Sequence, residues 1–168
     1  MTLTFAYECY ADEDVVLFLR DHRHLPLRKR HSFGQGEVVN DLLKKALAHI
    51  GMVDEDPGSS HHPLRDQMEV IDRTDDLERR SKSGRHLIIL KPELEDCFLR
   101  SMRRASLKTN LPSNPKELQK LLNLPRHPAH KTFRAELSEL YKAATAQRIN
   151  TFITDLERII QTLLSAKL

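Results

Sequence analysis

His49-Ile50-Gly51-Met52-Val53-Asp54-Glu55-Asp56-Pro57-Gly58, residues 49–58, is the stretch whose reading decides the fold. A short apolar run, interrupted by one glycine, empties into Asp-x-Asp and then into a Pro-Gly turn. A buried strand reads this way when it ends at an exposed edge. Side chains along an extended chain repeat with period two, so Asp54 and Asp56 point the same way and could share one hard divalent cation, with Glu55 turned away. An isolated Asp-x-Asp is also a common polar turn. A third carboxylate, Glu8, closes another apolar run and favours the reading as a site.

Outward from this stretch the pattern alternates. Leu3 to Tyr7 reads as a first strand with Glu8 at its exit. Ala11-Asp12-Glu13-Asp14 is an acidic first turn before Val15, Val16, Phe18 and Leu19, which share one helix face. After the basic residues Arg20, Arg23, Arg28, Lys29 and Arg30, a short strand is predicted near His31-Ser32-Phe33, and Gly34-Gln35-Gly36 breaks the chain. From Glu37, residues Val39, Leu42, Leu43, Ala46, Leu47 and Ile50 recur at helical spacing, so a second helix leads into the Asp-x-Asp strand. This βαβαβ order implies a mainly parallel sheet covered by helices, with right-handed crossovers. In open sheets of this kind sites form beyond the carboxyl ends of strands, where Glu8, Asp54 and Asp56 all fall.

Met68 to Ile71 and Arg85 to Leu90 are the next strand candidates, with the basic run Arg79-Arg80-Ser81-Lys82-Ser83-Gly84-Arg85 between them. In Lys91-Pro92-Glu93-Leu94-Glu95-Asp96 the proline suits an early helical position and the acids suit the first turn. Leu94, Phe98 and Met102 supply that helix with a buried face. Beyond about residue 106 the pattern is helical: one helix opens at Ser113-Asn114-Pro115, another carries Phe133, Leu137, Leu140 and Tyr141, and a last carries Phe152, Ile153, Leu156, Ile160 and Leu163. The division expected is an α/β core over 1–105 and a helical extension over 106–168, packed on the core or on a second copy of it.

The bulk numbers narrow the function classes. Of 168 residues, 39% are hydrophobic and 30% charged, a globular balance. No apolar run is long enough to cross a bilayer, and Met1-Thr2-Leu3-Thr4-Phe5 lacks the basic and apolar regions of a signal peptide, so a cytoplasmic location is expected. Cys9 and Cys97, without a CxxC pattern, argue against a disulfide framework or thiolate zinc. The net charge of +3 is too small to establish a nucleic-acid partner by itself. Aromatics make up 5% with no Trp, so platforms for base stacking are not evident, and backbone contact through Arg79, Arg80, Lys82 and Arg85 is the expected mode.

Glu8 after one strand and Asp54-x-Asp56 at the end of a later one make roughly residues 3–105 resemble the Toprim domain, in its stand-alone, overcoming-lysogenization-defect nuclease-like branch. Gly34-Gln35-Gly36-Glu37-Val38 before the second helix and Leu90-Lys91-Pro92-Glu93-Leu94-Glu95, similar to the Pro-x-x-Glu element of that branch, extend the likeness. Cys9 stands where many Toprim proteins carry Gly. The resemblance implies a Rossmann-like Toprim fold and a nuclease that hydrolyses phosphodiester bonds in DNA or RNA with Mg²⁺ or Mn²⁺. It assigns Asp54 and Asp56 to the metal, leaves Glu8 to act as a general base or to bind the metal through water, and offers Glu95 for a second metal position. An acid in a helix's first turn is also ordinary at Glu95. The other function class is a non-catalytic module that binds nucleic acid or a protein. A protein partner such as an ATPase and a homodimer through the C-terminal helices are the assemblies left open.

Overall fold

The computed structural model of the 168-residue chain describes residues 2–55 and 63–166. β1 (Leu3–Tyr7), α1 (Tyr10–Asp21), β2 (Leu27–His31), α2 (Gln35–Leu43) and β3 (Ile50–Asp54) follow the expected βαβαβ order. Then come β4 (Glu69–Arg73), β5 (Leu77–Lys82), β6 (Arg85–Leu90), α3 (Leu94–Arg104), α4 (Pro115–Leu122), α5 (Ala129–Gln147) and α6 (Phe152–Ser165). The strands form one six-stranded sheet in the order β2-β1-β3-β6-β5-β4. β2, β1, β3 and β6 are parallel, while β5 and β4 are added antiparallel. The fold is therefore α/β, a mixed and mostly parallel sheet flanked by helices. Among the described residues no helix is long and apolar enough to cross a membrane.

Period-two alternation sorts the strands onto two faces. Phe5, Tyr7, Ile50, Met52, Ile88 and Leu90 face one cluster, and Ala6, Val53, Leu87 and Ile89 face another. The first face is covered by α1 and α3, and the buried residues of α4, α5 and α6, among them Leu118, Phe133 and Leu156, belong to the same cluster. The second is covered by Val38, Val39 and Leu42 of α2. The helices after β1 and β2 thus lie on opposite sides of the sheet. That places the topological switch point between β1 and β3, and sheets of this kind bind ligands beyond the carboxyl ends of the strands at such a point.

Gly51 permits the close approach of α2 to the sheet. A Cβ at this position would lie 2.6 Å from both Leu42 Cδ1 and Val38 Cγ1, two side chains with no exposed surface. Gly51→Ala is expected to destabilise the protein by about 1–3 kcal/mol through overpacking, read as a lower denaturant midpoint at unchanged slope. A midpoint equal to that of the parent would mean that α2 moves away without cost.

Four elements differ from the sequence-based expectation. The strand expected near 31–33 is Leu27–His31, an edge strand in which only Leu27 is buried, so apolar content gave no signal there. α2 stops at Leu43 instead of running on to Ile50: Ala46 takes a left-handed φ of +53°, and the Leu47 and Ala48 amides turn back to the Asp41 carbonyl. The basic run between the later strands is itself strand β5 up to Lys82. Ser83 and Gly84, both at positive φ (+51° and +72°), form the two-residue turn into β6. Pro92, expected in the first turn of α3, precedes the N-cap Glu93 and follows a cis peptide bond.

Candidate active site at the switch point

Glu8 and Asp54 meet as the strand ends predict. β1 delivers Glu8, β3 delivers Asp54, and the Asp54 amide donates to Glu8 Oε1 at 2.9 Å, across 46 residues of sequence. Asp54 shares its strand face with Ile50 and Met52, so its side chain turns toward the layer of α1 and α3. There Asp54 Oδ1 accepts the Leu94 amide at 3.0 Å. A strand carboxylate thus caps α3, whose own N-cap, Glu93, contributes no side-chain bond.

Two further acids surround the pair. Asp12 is the third residue of α1, and its Oδ2 accepts the amides of Glu8 and Cys9, both at 3.2 Å. Cys9 Sγ answers by accepting the Asp12 amide, which closes a capping box. Cys9 has an extended backbone with φ −135°, so this position makes no demand for glycine. Glu95, in the first turn of α3, is 2% exposed. Asp12 Oδ1 and Glu95 Oε2 are buried without hydrogen-bond partners among the described residues.

The electrostatics follow from this crowding. Burial, and then the charges of Asp12, Glu95 and Glu8, push the Asp54 carboxyl well above the usual range, against the Leu94 amide. Burial and the Glu8 charge raise Asp12. Burial raises Glu95 to about 7, with Glu93 and Asp96 adding to the shift. Burial also keeps the Cys9 thiol protonated, which removes it as a nucleophile.

Asp56 lies outside the described residues. Among the described residues, no three His, Cys, Asp or Glu side chains are disposed to hold a metal ion together. The donor chemistry still suits a hard cation: two buried carboxylate oxygens lack a hydrogen-bond partner, and Asp54 is shifted by three other acids.

Of the basic residues expected to meet nucleic acid, Arg79, Arg80 and Lys82 lie on β5, separated from β3 by β6, and Arg85 opens β6 at the end of the sheet opposite Asp54; most are engaged. Arg80 Nε donates to Glu78 Oε1 at 2.5 Å and its Nη1 to the Arg65 carbonyl at 3.2 Å. Lys82 donates to Gln67 at 2.8 Å and Arg85 to the Ala48 carbonyl at 2.6 Å. Arg79 Nε is buried without a hydrogen-bond partner among the described residues. Burial works against ionisation of Glu78, yet Arg80 and Lys91 hold its carboxyl down to about 2. This ion-paired group fastens β5 to its surroundings.

Sequence reasoning missed Asp12 as a member of the acidic cluster. Its local pattern, an acid at the third helical position after the Cys9 N-cap, reads as capping alone and gives no signal of the cluster. Compared with known proteins, the chain matches no family model, no curated protein and no solved structure.

Proposed function

We propose that this chain is a Toprim-like, metal-dependent nuclease that hydrolyses phosphodiester bonds in DNA or RNA. The observation that carries this reading is the convergence of Glu8 and Asp54 at the switch point, with Asp12 and Glu95 buried beside them. Phosphoryl transfer asks a protein for charge neutralisation and an oriented nucleophile more than for covalent help. Asp54, with Asp56 and Glu95, would hold Mg²⁺ or Mn²⁺, and the bound ion would polarise the phosphoryl oxygens and acidify the attacking water. Glu8 is the residue to take that water's proton. Its carboxylate is held in place by the Asp54 amide, so base and metal ligand are fixed relative to each other.

The test is cleavage of labelled single-stranded, duplex and circular substrates by the purified chain with Mg²⁺, with Mn²⁺ and with chelator. Cleavage in either metal and none in chelator is expected. Tight nucleic-acid binding without turnover in either metal would overturn the reading in favour of a non-catalytic module.

A further inference from the structure

Beside the acidic site lies a group of rings that the hydrophobic core does not account for. Phe33, between β2 and α2, is 84% exposed, and Tyr10, the first residue of α1, is 37% exposed. Both contact His31, the last residue of β2. The Phe33 ring centroid is 4.8 Å from that of His31 at an interplanar angle of 31°, and Tyr10 meets it edge-on at 5.4 Å. On its inner side His31 stacks on the buried Tyr7 at 5.3 Å, and its Nε2 is 3.1 Å from the Glu8 carbonyl. The rings are thereby anchored to the same residue whose carboxylate meets Asp54.

Tyr10 also lines an open cavity of about 650 Å³ between α1 and the α4–α5 connection. Its acidic members are paired, Glu13 with Lys29, and Asp14 with His130 at 2.5 Å and Arg134 at 3.5 Å. Arg126 lines the same cavity from an exposed position with φ +63°. Aromatic faces lead, through Tyr10, to guanidinium groups.

We propose that Phe33, His31 and Tyr10 form a stacking platform for single-stranded nucleic acid, whose backbone continues past Glu8 into the cavity walled by Arg126 and Arg134. Exposed rings take up bases only when those bases are unpaired, because a duplex hides its π-faces. Stacking of this kind tolerates any sequence, and the arginines supply phosphate contact. The platform rests on the nuclease reading for the use made of the bound strand, and it names the substrate class: single strands or single-stranded ends.

The test uses the full chain in chelator, with fluorescence anisotropy of labelled oligo-dT and oligo-U of about 12 nucleotides, a length chosen to exceed a short stacking site, and of a hairpin duplex of matching length. Single strands are expected to bind about tenfold or more tightly than the duplex, and Phe33→Ala to weaken them by about tenfold. Arg126→Ala is expected to weaken binding less and to flatten its salt dependence. Whichever of oligo-dT and oligo-U binds more tightly identifies the nucleic acid. Unchanged affinity of Phe33→Ala, preference for the duplex, or a Phe33→Ala protein altered only in oligomeric state would overturn the platform. Binding lost in Phe33→Ala together with no cleavage in Mn²⁺ would keep the platform and remove the nuclease. Metal-dependent cleavage indifferent to Phe33→Ala would do the reverse.

Discussion

Asp54→Asn is expected to abolish metal-dependent cleavage, by at least about 100-fold as for the loss of a group that stabilises transition-state charge, while making the protein more stable. The two effects have opposite signs because the proposed function gives the carboxylate a second job beside its capping of α3. Asparagine keeps a carbonyl oxygen to accept the Leu94 amide at the start of α3, so the cap survives. What disappears is a negative charge in a buried place where Asp12, Glu95 and Glu8 all oppose it. Relief of that repulsion should contribute about 1 kcal/mol, which for a chain of this size raises Tm by roughly 2–4 °C. Thermal unfolding in chelator and cleavage assays in Mn²⁺ on the same preparation check both halves. Retained activity would remove Asp54 from the chemistry. Loss of activity together with a lower Tm would make it a helix cap whose removal deforms the site. Asp54→Ala separates the effects less well, because it deletes the cap and the charge together.

The strand that bears Asp54 was legible because burial on both faces leaves a continuous apolar run, and a carboxylate cannot continue such a run without leaving the core. Its meeting with Glu8 was legible through topology: two parallel strands on either side of a switch point end at the same edge. Asp12 was not legible as a member of the cluster, because its local pattern has a sufficient local explanation. It accepts the amides of Glu8 and Cys9 as a capping-box acid should, and only the tertiary placement of α1 beside the end of β3 adds it to the cluster. The rings of Tyr10, His31 and Phe33 were hidden by averaging. An aromatic content of 5%, which counts Tyr and Phe but not His, says nothing about where the rings are, and His31 at the end of β2 meets Tyr10 of α1 and Phe33 of the following loop. β5 was masked by charge. Arg79, Arg80 and Lys82 look like a solvated loop until Glu78 is seen facing Arg73, Arg80 and Lys91, which lets an arginine-rich segment sit in a sheet.

In chelator, stability is expected to fall as pH rises from about 5 to about 8, contrary to the usual behaviour of proteins rich in paired carboxylates. Glu95 has its folded pKa raised from 4.5 to about 7. Between those values the folded state holds a proton that the unfolded state has released, so this contribution is fully present below 4.5 and is lost as pH passes 7. Asp12 and Asp54 shift in the same direction and add to the trend. Glu78 runs the other way, but its folded pKa of about 2 puts its loss far below this window. At about 1.4 kcal/mol per pKa unit, Glu95 alone contributes roughly 3 kcal/mol, a fall in Tm of about 6–12 °C. A divalent cation that binds the folded state alone reverses the trend, because it needs the ionised carboxylates and adds stability in proportion to RT ln(1 + [L]/Kd). Mn²⁺ should therefore raise Tm strongly at pH 8 and little at pH 5. A Tm that rises with pH in chelator would contradict the crowding of charge around Asp54. A downward trend that Mn²⁺ leaves untouched would keep the crowded carboxylates and take away the metal that gives them a function.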